Sequence, residues 1–233
     1  MASSLHERCA LALGAYPARV QATTRYRQAM LRCVAWLFAS GWLSMVLTLC
    51  ACATTGQGSP LRVPDVRQTT DYTCSASALQ AVLAYFGEEA GEPELASELG
   101  ATPQDGAPPE AIVRVARAHG LSAELREDLR IADLASAVRR GIPVIVALQA
   151  WPDAPIRDYA QAWDDGHYVV VIAVERERLV FEDPSLLGSR GVLSHQEFER
   201  RWHDQDGSVR RQRMGIFVSG RAPSPPPLFR MIE

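Results

Sequence analysis

The spacing of hydrophobic positions changes about halfway along residues 63–220. In the first half, apolar residues recur at helical intervals and most runs end at a glycine. In the second half, the apolar runs are short and rich in β-branched residues, as expected of strands. Helices followed by an antiparallel sheet are typical of an α+β fold in which the two parts pack together.

The individual elements can be placed from these runs. Helices are predicted over 76–86, 93–99, 109–119 and 131–140. Strands are predicted over 142–150, 167–175, 178–183 and 214–219. One more helix should begin at Ser194, where the sequence Ser-His-Gln-Glu matches a capping box.

The longest apolar run, residues 33–51, lies ahead of this region and contains no charge. Arg32 directly precedes the run and small residues follow it, as in a cleaved export signal. The run ends in Leu-Cys-Ala-Cys, which resembles a bacterial lipobox with Cys52 as the lipidated residue. Cys50 does not fit that pattern, because bulky Leu49 would occupy the cleavage position. A retained signal-anchor helix is the alternative, since the run is long enough to span a membrane.

These features divide the chain into four segments, which are 1–52 (N-terminal extension and lipoprotein signal peptide), 53–62 (tether), 63–220 (folded domain) and 221–233 (Pro-rich tail). Residues 1–29 would make a long n-region, so Met30 is a candidate start. We expect an exported protein anchored to a membrane through its lipid. Ala53 is not the aspartate usual for inner-membrane retention, which favours the outer membrane.

Composition narrows the possible functions. Apolar residues make up 47% of the chain and charged residues 22%, the profile of a folded protein. The net charge of −3 and the absence of a basic stripe argue against nucleic-acid binding. No cofactor is expected. Asp204 and Asp206 have a spacing seen in calcium loops, but the rest of that pattern is missing, so no metal site is expected either.

Cleavage before Cys52 would leave Cys74 as the mature chain's single unmodified cysteine. Exported proteins usually pair their cysteines, so a single thiol is notable. Cys74 lies at or just before the start of the first helix, where unpaired amides and the helix dipole favour a thiolate. A small buried hydrophobe is the alternative, but a structural cysteine would more naturally lie inside the helix on its apolar face. Its position therefore favours a nucleophile.

A thiolate nucleophile needs a base, and the base needs an orienting group. His167 begins one predicted strand and Asp183 ends the next. In a hairpin turning around Glu175 these two residues would face each other, with their Cβ atoms ~5 Å apart. Gln68, six residues before Cys74, could curl back beside the helix start. With the backbone N–H of Cys74 it would supply two donors to an oxyanion.

This set of residues resembles the double-glycine, bacteriocin-processing cysteine peptidases, a papain-like family. The resemblance rests on Gln68 and Cys74, on Gly-His-Tyr before a strand, and on Asp-Pro after the next. It implies a papain-like α+β fold and a peptide or protein substrate. It also implies that Cys74 is the nucleophile, His167 the general base and acid, Asp183 its orienting group and Gln68 the oxyanion donor.

The chain departs from that family in two ways. Ser75 and Ala76 follow the cysteine, where the family usually has Gly and then Pro or Ala. Transporter-fused members act in the cytoplasm on Gly-Gly leader peptides, whereas we expect this chain to be exported, with no transporter attached. Two other classes therefore remain open, a papain-like acyltransferase or other hydrolase, and a peptide-binding module without activity.

Overall fold

The structure is a computed structural model, and it describes residues 59–221. Its helices are α1 (Cys74–Tyr85), α2 (Glu92–Leu99), α3 (Pro109–Ala118), α4 (Ile131–Arg139) and α5 (His195–Arg201), with a 3₁₀ turn at Tyr159–Gln161. Its strands are β1 (Ser122–Arg126), β2 (Val144–Gln149), β3 (Gly166–Val174), β4 (Arg178–Glu182), β5 (Gly191–Ser194), β6 (His203–Asp206), β7 (Val209–Gln212) and β8 (Gly215–Ser219).

The sequence pattern located the main helices and strands of the described region to within about two residues. The first helix begins at Cys74 and not at Ala76, which brings the thiol into the first turn. The capping box at Ser194 is present in part, because its hydroxyl accepts the Glu197 N–H at 3.1 Å. The short strands β1, β5, β6 and β7 were not predicted. Nearly all of their residues are exposed or half-buried, so they carry little hydrophobic signal.

Six strands form one antiparallel sheet in the order β1-β8-β2-β3-β4-β5, and β6 and β7 form a separate hairpin. One face of the sheet packs against α1, α2 and α3, and the other packs against α4 and α5. The fold is therefore α+β, as the sequence indicates. The two central strands β2 and β3 are buried on both faces, which explains their continuous apolar sequences.

The α1 helix is the centre of the first core. Leu79, Val82 and Leu83 are fully buried and belong to the same cluster as Val170 and Ile172 of β3. Burying a leucine or valine side chain stabilises a fold by about 1.5–3 kcal/mol, so this contact fixes α1 firmly on the sheet. The start of α1 and the start of β3 are thereby held close together, and these are the positions of Cys74 and His167.

The hairpin of β3 and β4 contains a β-bulge. Val171 pairs with Phe181, but Ala173 pairs with Val180, so β3 has one extra residue at Ile172. The turn lies between Glu175 and Arg178, whose backbone groups are joined by a 2.8 Å hydrogen bond. The hairpin predicted from the sequence was centred on Glu175, which is not the observed register.

The predicted lipidation residue Cys52, the apolar run 33–51 and most of the Pro-rich tail lie outside the described residues. Within residues 59–221, no helix has the length and apolar character needed to cross a bilayer.

Candidate active site

Cys74 is the first residue of α1 and is 8% exposed. The first hydrogen bond of the helix runs from the Ser77 N–H to the Thr73 carbonyl at 3.0 Å. The amides of Cys74, Ser75 and Ala76 therefore have no partner within the helix. The first turn contains no acidic residue that would compete for them. A thiolate, or an oxyanion formed next to it, would find these donors free.

His167 lies at the start of β3, is 5% exposed and interacts with both Asp183 and Cys74. Its Nε2 atom is 2.7 Å from Oδ1 of Asp183. Cys74 is close enough to the ring to favour its charged form. Because Nε2 is engaged by Asp183, Nδ1 is the nitrogen left for the thiol. The cysteine, the imidazole and the carboxylate thus form one group of interacting side chains.

The electrostatics of this group favour a charged imidazole. Burial by itself would lower the pKa of His167, but the hydrogen bonds and charges of Asp183 and Cys74 outweigh it and raise the pKa to about 9. For Asp183, burial opposes ionisation. The hydrogen bond and charge of His167, with the N–H groups of Ser185 and Trp151, nevertheless bring its pKa below the usual value. An imidazolium beside a carboxylate is therefore the stable state near neutral pH.

Asp183 is held by three donors. Its Oδ1 accepts His167 Nε2 and the backbone N–H of Ser185 at 2.9 Å. Its Oδ2 accepts the indole N–H of Trp151 at 3.2 Å. Trp151 lies at the beginning of the loop that follows β2. In the structure it contacts Asp183 and remains 54% exposed, so it is no core residue. No sequence signal linked it to Asp183, which lies 32 positions further on.

Gln68 lies near the start of α1 but is not part of this contact group. Its Nε2 donates to the Thr70 carbonyl at 2.8 Å, and its backbone N–H donates to the Pro184 carbonyl at 3.0 Å. Its Oε1 is buried and has no partner among the described residues. Nε2 has a second hydrogen, which these contacts leave free. The residue is anchored to the loop after Asp183, but no hydrogen bond in the described region joins it to Cys74.

A cleft of about 220 Å³ opens on Cys74. Its aromatic lining consists of Tyr72, Trp163 and Tyr168. Five aspartates also line it, namely Asp71, Asp105, Asp164, Asp204 and Asp206. Burial, assisted by the charge of Asp206, raises the pKa of Asp204 to about 6. The cleft therefore presents a negative potential beside the thiol.

Gly166 lies directly against the side chain of Asp204. A Cβ atom at residue 166 would collide with the Asp204 carboxylate, so glycine leaves room for this side chain against the start of β3. The Gly-His pair noted in the sequence thus has a steric cause. The spacing of Asp204 and Asp206, which resembled part of a calcium loop, belongs to β6.

The arrangement of a helix-start cysteine, a strand-start histidine and a following aspartate on an α+β scaffold defines a papain-like cysteine peptidase fold. The family model described as "Peptidase_C39 like family" matches residues 60–209, more than half of the chain. The chain belongs to this family. No curated protein matches it.

Solved structures share the fold at low sequence identity. A double glycine motif protease from an AMS/PCAT transporter, in complex with its leader peptide, is 18% identical with a TM-score of 0.51; the match covers 71% of this chain and 95% of that one. The peptidase domain of Streptococcus ComA, a bifunctional ABC transporter of a quorum sensing pathway, is 19% identical with a TM-score of 0.51, over 67% and 97%. A C39-like peptidase from Bacillus anthracis is 16% identical with a TM-score of 0.53, over 71% and 100%.

Proposed function

We propose that this protein is a cysteine peptidase that cleaves peptide bonds with Cys74, His167 and Asp183. One observation carries the proposal. The His167 ring is hydrogen-bonded to Asp183 and interacts with Cys74, and Cys74 lies in the first turn of a helix. A buried structural cysteine has no need of an imidazole whose second nitrogen is fixed by a carboxylate. The family and fold are those of cysteine peptidases, which supports the same conclusion.

In the proposed reaction, His167 acts first as a general acid and then as a general base. The Cys74 thiolate attacks the substrate carbonyl carbon, and the resulting oxyanion is bound by the Cys74 N–H and the Gln68 side chain. The His167 imidazolium protonates the departing amine as the C–N bond breaks, which leaves an acyl-enzyme. Neutral His167 then takes a proton from a water molecule as the water oxygen attacks the thioester carbon. The C–S bond breaks, the carboxylic acid product leaves, and the Cys74 thiolate and the His167 imidazolium are restored. Asp183 keeps the ring oriented and stabilises its charged form.

A library of peptides with mixed termini, incubated with the full chain and analysed by mass spectrometry, tests the proposal. It should include Lys- and Arg-containing members, because five aspartates line the cleft. New peptide termini that disappear in Cys74→Ala would support a peptidase. Peptides joined to an added amine would indicate an acyltransferase. Binding without a product would indicate a peptide-binding module, and the proposal would then be wrong.

Alkylation of Cys74 tests the nucleophile without a substrate. Cys74 lies beside His167 and in the first turn of α1, so we expect iodoacetamide to label it readily below pH 7. An ordinary thiol with a pKa near ~8.5 is mostly protonated there. His167→Ala should slow labelling at pH 6 by about 10-fold. The labelled site is mapped by mass spectrometry of the peptide that contains Cys74.

His119→Ala is a matched control for this measurement. It also removes an imidazole that contacts a carboxylate, since His119 Nε2 is 3.1 Å from Glu98, but it lies at the end of α3. Labelling in this variant should equal that of the wild type. If labelling of the wild type rises only through the pH range of a free thiol, Cys74 is a structural cysteine.

We also propose that the protein is exported and anchored to a membrane, on the outer membrane's periplasmic side, through lipid on Cys52. The proposal rests on the lipobox-like Leu-Cys-Ala-Cys at the end of the apolar run 33–51. A peptidase held there would meet exported peptides, unlike a transporter-fused enzyme in the cytoplasm.

Intact mass of the membrane-extracted protein tests this anchor. We expect a chain that begins at Cys52 and carries lipid. Cys52→Ser should abolish both processing and lipid attachment, whereas Cys50→Ser, two residues away, should change neither. A mature N-terminus elsewhere would contradict the proposal.

A further inference from the structure

Trp151 occupies a position that the reaction described above does not use. It follows β2 at the beginning of the loop that leads to β3, and its indole N–H reaches back to Oδ2 of Asp183 at 3.2 Å. Oδ1 of Asp183 is taken by His167 and Ser185. Within the described residues, the indole is thus the hydrogen-bond donor to the second carboxylate oxygen.

The backbone of Trp151 has a conformation that its own side chain disfavours. Its φ angle is +57°, in the left-handed region that bulky residues rarely adopt. Such a conformation persists only where the surroundings impose it, and it occurs often at functional sites. Core packing does not impose it, because the side chain is 54% exposed. In this conformation the side chain of Trp151 makes one hydrogen bond among the described residues, the one to Asp183.

Trp202 shows what a structural tryptophan looks like in the same protein. It is 1% exposed, and its indole N–H donates to the Met214 carbonyl at 2.8 Å inside the second core. Trp151 instead lines, together with Asp183, a cavity of about 490 Å³. The two indoles therefore differ both in burial and in hydrogen-bond partner.

We propose that Trp151 is a positioning residue for catalysis that acts through Asp183. A carboxylate can rotate about its Cβ–Cγ bond, and a donor on Oδ2 fixes this rotation while Oδ1 faces His167. The same donor favours the ionised carboxylate, and the ionised carboxylate favours the imidazolium. Trp151 thus acts on the imidazole without touching it or the substrate. This inference rests on the proposed function.

Trp151→Phe tests the role, because it keeps an aromatic ring at the cavity edge and removes only the N–H donor. We expect kcat to fall by about 3- to 10-fold with KM unchanged. The pH at which His167 loses its proton, followed by NMR of the labelled imidazole, should move to lower values. Combined with Asp183→Asn, the substitution should add no further loss, since both changes act on one contact.

Leu187→Ala is the matched control. Leu187 is 63% exposed, lies four residues after Asp183 and is not among the residues that contact this carboxylate. It should leave kcat, KM and the titration of His167 as in the wild type. Thermal unfolding of each variant checks that the fold is retained.

Two outcomes would overturn the role of Trp151. Unchanged kcat and an unchanged His167 titration in Trp151→Phe, with a raised KM in Trp151→Ala, would make the ring a binding surface only. Losses that multiply with those of Asp183→Asn would mean that the indole acts elsewhere. If the wild type cleaves no peptide, the proposed peptidase function fails, yet the NMR titration still decides whether Trp151 controls His167.

Discussion

Replacing Asp183 with alanine is expected to lower peptide turnover by about 10³-fold, whereas asparagine should lower it by only about 10-fold. In an imidazolium both ring nitrogens carry hydrogen, so Asp183 needs only an acceptor oxygen toward Nε2. The asparagine oxygen can fill that role at Oδ1. The asparagine NH₂ group would then face the indole N–H of Trp151, so that two hydrogen-bond donors would lie in contact. The negative charge of the carboxylate would also be lost. Alanine removes the acceptor as well.

The same substitutions should change the pH dependence of stability. The pKa of His167 is raised to about 9 in the folded protein, against about 6.5 for a free imidazole. The folded state therefore keeps an extra proton between these values. This contribution to stability is fully present below about pH 6.5 and is lost as the pH rises through about 9. Asp183→Ala should accordingly destabilise the protein most near pH 6 and least near pH 9.

Chemical denaturation at several pH values from 6 to 9, with turnover measured on the same samples, checks both expectations. Asp133→Asn is the matched control, because it alters a carboxylate at the start of α4 that bonds the Arg130 N–H and not the active site. It should leave turnover and the pH trend unchanged. Equal turnover in Asp183→Ala and the wild type would exclude Asp183 from the reaction.

The contact between His167 and Asp183 could be predicted from the sequence, but the strand register could not. The prediction placed the two residues directly opposite each other around Glu175. In the structure Glu182 pairs with Val170, so the next residue, Asp183, lies opposite residue 169. That position is two residues from His167, the predicted partner. A displacement of two residues keeps the same face of the sheet, and diagonal neighbours are still within reach. The contact therefore forms, at 2.7 Å.

The β-bulge at Ile172 determines on which face of the sheet the Asp183 side chain lies. Between the turn and the bulge, Val174 pairs with Leu179 and Ala173 pairs with Val180. If this register continued without a bulge, Asp183 would lie opposite Val170. Asp183 would then lie on the face opposite His167. The extra residue moves Asp183 back to the face of His167. Because β3 is buried on both faces, its sequence shows no alternation from which a bulge could be read.

The cleft and the contact of Trp151 with Asp183 could not be predicted from the sequence, because the residues that form them are far apart along the chain. Asp71, Asp164 and Asp204 come from three separate regions of the chain and meet only through the fold. The same holds for Trp151 and Asp183. By contrast, the features that the sequence located are local. Cys74 at a helix start and His167 at a strand start can each be read from about ten neighbouring residues.

Gln68→Ala is expected to lower turnover on the order of 10²-fold while leaving the alkylation of Cys74 nearly unchanged. Losing one donor to an oxyanion costs ~3 kcal/mol in the transition state of acyl transfer. Alkylation by iodoacetamide forms no tetrahedral oxyanion, so it does not use this donor. The two rates therefore separate a role in binding the oxyanion from a role in forming the thiolate.

The contacts of Gln68 add a condition to this expectation. Nε2 already donates one hydrogen to the Thr70 carbonyl, so only the other can reach the oxyanion, and the Thr70 contact must survive binding of the substrate. Gln80→Ala, which removes the same side chain from the far half of α1, is the matched control and should leave both rates unchanged. If Gln68→Ala slows alkylation as much as turnover, Gln68 shapes the thiolate. If it slows neither, the oxyanion is bound by the free amides of the α1 start alone.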